Sequence, residues 1–315
     1  MRPEESVRLR SARSARGVRW ARKRLSCSAS FLFVLPVTVA VGVFLLIPTA
    51  TVIAHSFTAW DPGYASPWVG LDNYVELAES PVFHKILLNQ GILLLGIPLW
   101  TFMPLALAVM LYDRVPAAGA FRTIFFFPAT ASPAIIGILF AFILAPTGPI
   151  NGVVRVFLPD GAARNWLVDP DFALPTIMVV LAWATTGAGV VIFSAALSAV
   201  SPELFEAALM DGAGWWARLR YVIFPALRSV IQLWVMILII TVFVSLFPWI
   251  FTLTRGGPGY ATTTLDFDIY QNALSFGYFG VAAAETVYLL LLVTVLILVG
   301  MNISRLRRPW MRRSG

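Results

Sequence analysis

The stretch FLFVLPVTVAVGVFLLIPTATVIA, Phe31–Ala54, decides the fold class of this chain. It is 24 residues long and contains no Asp, Glu, Lys, Arg or His. A helix needs about 20 mostly apolar residues to cross the hydrocarbon core of a bilayer. The apolar core of a secretory signal is shorter, about 7–15 residues, and is followed by a small-x-small cleavage site, which is not evident here. The stretch therefore predicts a transmembrane helix that is kept in the mature protein.

Five further apolar blocks follow, and together they predict an all-α integral membrane protein with six transmembrane helices. Of the 315 residues, 59% are hydrophobic and 12% are charged, whereas soluble domains carry about 25% charged residues. The central parts of the blocks contain a single ionisable side chain, Glu285, which we expect near the outer end of the sixth helix, facing acidic loops and solvent. The predicted spans are Phe31–Ala54, Ile86–Tyr112, Thr123–Ala145, Leu174–Ala199, Val230–Leu253 and Val281–Ser304.

The distribution of Lys and Arg predicts that both termini are cytoplasmic. Of the 23 basic residues, nineteen fall on the side that holds the two tails and the loops after spans two and four. The opposite side holds Lys85, Arg155, Arg164 and Arg255. Because cytoplasmic segments of membrane proteins are enriched in Lys and Arg, we interpret the basic tails as topology signals and not as nucleic-acid binders. The expected organisation is a cytoplasmic tail at 1–30, a transmembrane domain at 31–303 and a second tail at 304–315.

The loop between spans four and five begins with signals for a short amphipathic helix. Ser201 is a favoured N-cap residue, and Pro202 is favoured at the first helical position. Gly212 and Gly214 are expected to end this helix and to allow a sharp bend. The apolar stripe that the helical spacing predicts consists of Leu204, Phe205, Ala208 and Leu209.

A second helix is expected after the bend, at Trp215–Val222, with Pro225 stopping it before span five. The result is a helix–turn–helix elbow at the cytoplasmic surface with exposed carboxylates at Glu206 and Asp211. From the residues alone two interpretations remain open. The elbow is either an amphipathic connector that lies on the lipid headgroups or a docking element for a soluble partner.

The elbow resembles the EAA loop of ATP-binding-cassette (ABC) importer permeases. The matching residues are Glu206-Ala207-Ala208 and Asp211-Gly212-Ala213, followed by Ile223 and Pro225. Other segments resemble the carbohydrate branch of that family, the maltose-type permeases, and point to the first-encoded of its two homologous permeases. These segments, within roughly residues 31–303, are Gly70–Tyr74, Arg122 with Phe125–Pro128, Gly148–Asn151, Leu253–Pro258 with Thr262–Thr264, and Tyr278–Ala284.

The resemblance implies a type I ABC importer permease fold with a core region of about 86–303. The loop at 201–225 would be the coupling loop, whose helix inserts into a groove of the ATPase subunit. Glu206 would pair with a basic residue of the ATPase, Gly212 would set the bend, and Pro225 would set the entry angle into span five. The other residues of the implied coupling site are Ala207, Ala208, Asp211 and Ile223.

The resemblance also implies the partners and the location. The partners are a second homologous permease, two ABC ATPase subunits and an extracytoplasmic solute-binding protein, assembled with membrane lipid in a bacterial cell membrane. ATP and magnesium would be bound by the ATPase subunits. In keeping with this, no Gly-x-x-x-x-Gly-Lys-Ser/Thr phosphate-binding loop is possible, because the only lysines precede Arg24 and Ile86. With one cysteine and two histidines (Cys27, His55 and His84), we expect no metal site, no cofactor and no enzyme activity in this chain.

An ion-gradient-driven secondary transporter or channel is the alternative interpretation. Such carriers keep acidic groups near the bilayer centre, because the coupling ion binds there. Glu285 lies near the outer end of its span and does not fit this requirement well.

The solute pathway is expected on spans four and five. Thr241 and Ser245 are four residues apart and are predicted to share a helix face with Leu238. The polar, glycine-containing stretch Trp183–Gly189 lies at mid-membrane depth, and the residues that resemble the solute site of maltose-type permeases there are Trp183, Thr185, Thr186 and Gly189. Hydroxyl and aromatic groups suit a sugar or sugar-like solute, such as an oligosaccharide or a glycerol-phosphate derivative. A packing role for the same hydroxyls stays open.

Overall fold

The computed structural model describes residues 33–112, 130–158 and 164–306, with side chains through Asn302. The N-terminal tail, residues 307–315, Arg122 with Phe125–Pro128 and the first part of the third predicted span lie outside the described residues. The chain divides into two compact units between His55 and Ser56.

The first unit is described as one apolar helix, α1 (Phe33–His55), which contains a π-helical turn at Gly42–Leu46. Its threonine side chains are satisfied within the helix. The hydroxyls of Thr38, Thr49 and Thr51 each donate to the carbonyl four residues earlier, at 2.7 to 3.1 Å. Because these hydroxyls bond locally, the helix presents an apolar exterior that suits a lipid environment.

The second unit contains the remaining helices. These are α2 (Asp72–Glu79), α3 (Pro81–Leu94), α4 (Ile97–Tyr112), α5 (Pro133–Ile143), α6 (Pro149–Phe157), α7 (Pro170–Ser198), α8 (Pro202–Met210), α9 (Trp215–Val244), α10 (Phe247–Leu253), α11 (Leu265–Tyr270) and α12 (Phe279–Leu306). Together with α1, the segment α3–α4 and helices α7, α9 and α12 are long and apolar enough to cross a membrane, and α5 is a shorter apolar helix. The predicted all-α membrane class is confirmed.

The predicted fifth span, Val230–Leu253, is not one continuous helix. Helix α9 ends at Val244, because Ser245 leaves the helical conformation with φ −129° and ψ 12°. A separate helix, α10, follows, and its first backbone N–H, at Phe247, donates to the Asp266 carboxylate at 2.6 Å. A carboxylate at a helix N-terminus is favourable because the N–H groups there lack partners within the helix. This contact between distant segments stabilises the break.

The core of the second unit lies where α4, α7 and α9 meet. The Trp234 indole N–H donates to the Trp100 carbonyl at 3.1 Å. That carbonyl lacks its usual helical donor, because Pro104 stands four residues later and has no N–H. A Cβ atom added to Gly189 would lie 2.6 Å from Cβ of Pro104. Helices α4 and α7 therefore approach closely at Gly189, as small residues allow in membrane proteins.

Candidate functional site

The candidate coupling site is helix α8 together with the turn that follows it. Phe205 and Ala208 are buried and hold α8 against the membrane helices. The Phe205 ring packs against Tyr112, at the end of α4, with 5.0 Å between ring centroids. The predicted apolar stripe is wrong at Leu204 and Leu209, which are 52% and 57% exposed. Phe205 and Ala208, one turn apart, are the buried residues of α8, because this short helix packs along one narrow edge.

The exposed part of the carboxyl-terminal half of α8, here called the α8 face, combines carboxylates with apolar side chains. Met210 is 87% exposed, more than any other large apolar residue in the described part of the chain. Glu206 and Asp211, at the carboxyl-terminal half of α8, are also exposed. The α8 face consists of Glu206, Ala207, Leu209, Met210 and Asp211. Apolar side chains that stand beside charges in this way are typical of a surface that a protein partner covers.

The turn after α8 is fixed by Gly212, as predicted. Gly212 has a φ of +70°, in the left-handed region that favours glycine. Its N–H donates to the Leu209 carbonyl at 3.0 Å, and the Ala213 N–H donates to the Ala208 carbonyl at 2.9 Å. This pair of bonds is the Schellman motif that ends many helices.

The start of the elbow is partly as predicted, and the role of its second glycine needs correction. Ser201 occupies the N-cap position and Pro202 begins the helix, but the Ser201 side chain makes no capping hydrogen bond. The Leu204 N–H, which a capping hydroxyl would use, instead bonds to the Ser201 backbone carbonyl at 3.2 Å. Gly214 does not end α8 but precedes the next helix, with an extended backbone at φ −66° and ψ 173°.

The predicted second helix, Trp215–Val222, is not a separate element, and Pro225 does not stop it. Helix α9 runs from Trp215 to Val244 through a π-helical turn at Leu219–Ile223. In that turn the Phe224 N–H bonds to the Leu219 carbonyl, five residues earlier. Proline breaks helices by lacking an N–H and by crowding the preceding turn, and a wider π turn accommodates both effects. Ile223 is buried and Pro225 is exposed.

On α7, the four candidate pathway residues have different environments. Trp183 is 38% exposed and its ring meets that of Phe140 edge-on, with 5.2 Å between centroids. Thr185 is half-buried and its hydroxyl donates to the Leu181 carbonyl at 2.8 Å. Thr186 is enclosed within the chain at 2% exposure. Gly189 is buried at the contact with α4. Trp183 and Thr185 are thus the more accessible of the four.

At the end of α9, Thr241 and Ser245 are accessible and Leu238 is not. The Thr241 hydroxyl donates to the Ile237 carbonyl at 2.9 Å in an exposed position. Ser245 is exposed at the break between α9 and α10. Leu238 is 1% exposed. Leu238 and Thr241 are one helical turn apart, but Leu238 is enclosed within the chain, and Ser245 lies just beyond the helix, where the backbone has already turned.

Two amide side chains of α3, which the sequence reasoning missed, secure the break in span five. The Gln90 side-chain N–H donates to the Val242 carbonyl at 2.7 Å. The Asn89 side-chain N–H donates to the carbonyls of Tyr260 and Thr263, at 2.8 and 3.0 Å. Adjacent amides inside an apolar span were the signal available in the sequence, because such groups are costly in a membrane unless they are bonded.

A buried acidic cluster lies where α11 meets the start of α12. The Asn272 side-chain N–H donates to Asp268 Oδ2 and to Glu285 Oε2, at 3.2 Å in each case. Glu285 is fully buried. The expectation that Glu285 faces solvent is therefore wrong, because α11 and the π turn Gln271–Ser275 pack over this part of α12. Burial raises the pKa of Asp268 to about 6, and hydrogen bonds with Asn272 and Glu285 oppose the rise.

We expect Asp268→Asn to change the pH dependence of stability. The pKa of Asp268 rises from an ordinary 3.8 to about 6 on folding, so the folded protein binds more protons than the unfolded chain between these values. The wild type should therefore lose stability relative to Asp268→Asn as pH rises from about 4 to 6. Thermal unfolding of the purified protein across this range measures the difference. Asp211→Asn, at an exposed carboxylate, is the control, and parallel curves for wild type and Asp268→Asn would contradict the expectation.

These features define a multi-pass membrane protein in which a short exposed helix links two spans. The family model for the "Binding-protein-dependent transport system inner membrane component" matches residues 92–308, more than half of the chain. The chain belongs to this family. The resemblance to importer permeases, predicted from the EAA-type loop, is confirmed, and so is the multi-pass location in the inner membrane.

Relatives and solved structures agree with this assignment. The lactose transport system permease protein LacF of Rhizobium radiobacter is 31% identical over 84% of this chain and 90% of its own length. The diacetylchitobiose uptake system permease protein NgcF of Streptomyces coelicolor is 31% identical over 90% of this chain and 85% of its own. A chain in the crystal structure of a bacterial ABC transporter involved in alginate import matches with a TM-score of 0.76 and 24% identity, over 88% of this chain and 95% of that one. The importer permease fold is thus confirmed.

Proposed function

We propose that this chain is the membrane-spanning subunit of an ABC importer for a sugar or sugar-like solute. The names of the relatives LacF and NgcF, which refer to lactose and diacetylchitobiose, support this substrate class. An extracytoplasmic binding protein delivers the solute, and a second homologous permease completes the pathway. Two ATPase subunits bind ATP and magnesium and supply the driving force, so that this chain is a transport subunit and not an enzyme.

The observation that carries the proposal is the construction of the α8 face. Helix α8 is anchored on one side by Phe205 and Ala208 and is ended rigidly at Gly212. Its other side exposes Glu206 beside Met210. Because α8 leads through its turn into the continuous helix α9, a force applied to α8 reaches the membrane domain without an intervening flexible loop. This supports a coupling element and not a passive connector on the lipid headgroups.

The proposed solute pathway runs past the break in span five. Thr241 and Ser245 supply accessible hydroxyls there, and Trp183 with Thr185 supplies an aromatic face and a further hydroxyl on α7. Hydroxyl groups and aromatic faces are the usual partners of uncharged sugars. We assign Thr186, Gly189 and Leu238 to helix packing. Since the pathway offers few polar groups, the binding protein supplies most of the specificity.

The proposal places α8 and both termini in the cytoplasm, in keeping with the nineteen basic residues on that side. In a Cys27→Ser background, we expect a membrane-impermeant thiol reagent to label Tyr64→Cys in intact cells and to leave Met210→Cys unlabelled. Both positions are well exposed in this chain, at 78% and 87%, so permeabilised cells that express it without its ATPase subunits should label both. Labelling of Met210→Cys in intact cells would reverse the orientation.

Removing the Glu206 carboxylate tests the docking role of the α8 face. Truncating one member of a charge pair buried at an interface costs about 2–5 kcal/mol. We therefore expect Glu206→Ala to insert normally in the membrane and to weaken retention of the ATPase by at least about tenfold, which corresponds to about 1.4 kcal/mol. Co-purification of the ATPase over a salt series measures the loss.

Glu203→Ala is the matched control for this experiment. Glu203 is an exposed carboxylate in the first turn of the same helix, one turn before the α8 face. The Glu203→Ala variant should retain the ATPase nearly as well as the wild type. Equal losses in the two variants would indicate a general effect of charge, and full retention by Glu206→Ala would remove the assigned pairing.

A further inference from the structure

Helix α6 (Pro149–Phe157), between α5 and α7, has an apolar side that the described residues leave uncovered. Val153, Val156 and Phe157 are 57%, 76% and 79% exposed, and Ile150 is 39% exposed. At 3.6 residues per turn these four positions share one side of the helix, here called the α6 apolar face. Asn151 and Arg155 lie on the other side, and Asn151 is fully buried. The helix is thus strongly amphipathic, with its apolar side turned away from the protein.

The Asn151 side chain fixes the position of α6. Its N–H group donates to the Ala145 carbonyl at 3.0 Å and to the Arg164 carbonyl at 2.9 Å. Its carbonyl oxygen accepts from the Arg164 backbone N–H at 3.1 Å and from the Trp166 indole N–H at 2.9 Å. A single buried amide therefore clamps the first turn of α6 to the chain on both sides of it.

This clamp sets the depth of α6 relative to the membrane. Ala145 directly follows α5, and Trp166 shortly precedes the membrane-crossing helix α7. A nine-residue helix is only about 13 Å long, so no part of α6 can lie far from the plane in which those two apolar helices end. The Arg155 guanidinium donates to the Pro146 carbonyl at 3.0 Å and holds the second turn in the same plane.

Two further features indicate that this plane is the lipid headgroup region. The Trp166 ring lies edge-on to Phe172, with 6.2 Å between centroids, and the Arg164 guanidinium lies 4.3 Å from the centroid of the Phe172 ring. Tryptophan is enriched at this depth in membrane proteins, and arginine side chains near helix ends reach to it. The neighbouring helix α5 also exposes large apolar side chains, so lipid contact continues from it. These are Ile135, Ile138, Leu139 and Phe142.

We propose that α6 is an interfacial helix whose apolar face is covered by lipid acyl chains, at the surface where α5 ends and α7 begins. Its polar side faces the protein through Asn151 and Arg155. The clamp then ties the ends of α5 and α7 to a fixed depth. This inference concerns the membrane and does not depend on which solute is carried or on which side of the membrane α6 lies.

Nitroxide spin labels on α6 test the proposal in the full-length protein, assembled with its partner subunits in lipid nanodiscs. The chain has a single cysteine, Cys27, so Cys27→Ser gives a clean background. Labels at Val153→Cys and Phe157→Cys report on the apolar face. Gly152→Cys is the matched control, because Gly152 is exposed on another side of the helix and an added Cβ there meets no atom within 4 Å.

Collision rates of the labels with oxygen, which concentrates in lipid, and with a water-soluble nickel chelate give the result. We expect the oxygen-to-nickel ratio to be severalfold higher at positions 153 and 157 than at 152. High nickel collision rates at all three positions would place α6 in water and overturn the proposal. Low rates with both reagents at 153 and 157 would mean that a protein surface, such as the second permease, covers the face, and this would also overturn it.

Discussion

Gly212→Pro is expected to abolish coupling between ATP turnover and transport while leaving the permease in the membrane. Gly212 has a φ of +70°, whereas the proline ring fixes φ near about −65°. Proline also removes the N–H that bonds to the Leu209 carbonyl. The Schellman turn cannot form with proline at this position, so α8 loses its fixed angle to α9. We expect solute uptake and binding-protein-stimulated ATP turnover to fall by more than about tenfold, the equivalent of about 1.4 kcal/mol of lost docking.

Gly214→Pro is the matched control, since it makes the same change two residues later. Gly214 has a φ of −66°, which proline adopts without strain. This variant should keep most of the coupled activity. If Gly212→Pro retained normal uptake and stimulated turnover, the assignment of α8 as the coupling element would be wrong.

The double variant Thr241→Leu with Ser245→Leu is expected to block uptake in an assembled complex. The two changes remove the accessible hydroxyls at the break in span five and add bulk to the proposed pathway. The Thr241 hydroxyl bonds only within its own helix turn in the described contacts, at Ile237, so its loss should cost little stability. We expect uptake of labelled solute to fall at least about tenfold with normal recovery of all subunits.

Thr294→Leu controls for the exchange of a hydroxyl for a larger apolar group in a membrane helix. Thr294 is exposed on α12 and its hydroxyl likewise bonds to a carbonyl four residues earlier. This variant should transport normally. Unimpaired uptake by the double variant would assign Thr241 and Ser245 to packing, the alternative that the sequence left open.

The presence of the long helices could be predicted from hydropathy, but their ends could not. The end of α9 depends on the bond between Phe247 and Asp266, which are 19 residues apart, and the passage through Pro225 depends on a π turn. Neither a contact between distant segments nor a change of helical hydrogen bonding is encoded in a local pattern. The role of Gly212 in ending α8 could be predicted, because a left-handed backbone after a helix favours glycine and needs no contact with a distant segment.

For the candidate site, too, some residues could be placed from the sequence and others could not. The exposed Glu206 and the buried Phe205 agree with the predicted amphipathic helix, whereas Leu204 and Leu209 are exposed. Burial on a short helix depends on how far the neighbouring helices extend along it, and the sequence of the helix does not show this. The amides Asn89 and Gln90 carried a readable signal, since polar groups inside a span need partners. Their partners, in the loop between α10 and α11 and at the end of α9, could be located only in the structure.

ATP-dependent uptake in proteoliposomes tests the central claim most directly. The chain would be reconstituted with its sister permease and ATPase subunits, and binding protein loaded with a labelled sugar would be added. We expect accumulation that requires ATP on the ATPase side, stops when the ATPase carries a catalytic substitution and persists when a protonophore collapses the proton gradient. Uptake driven by an ion gradient in vesicles that contain this chain without the ATPase would contradict the account.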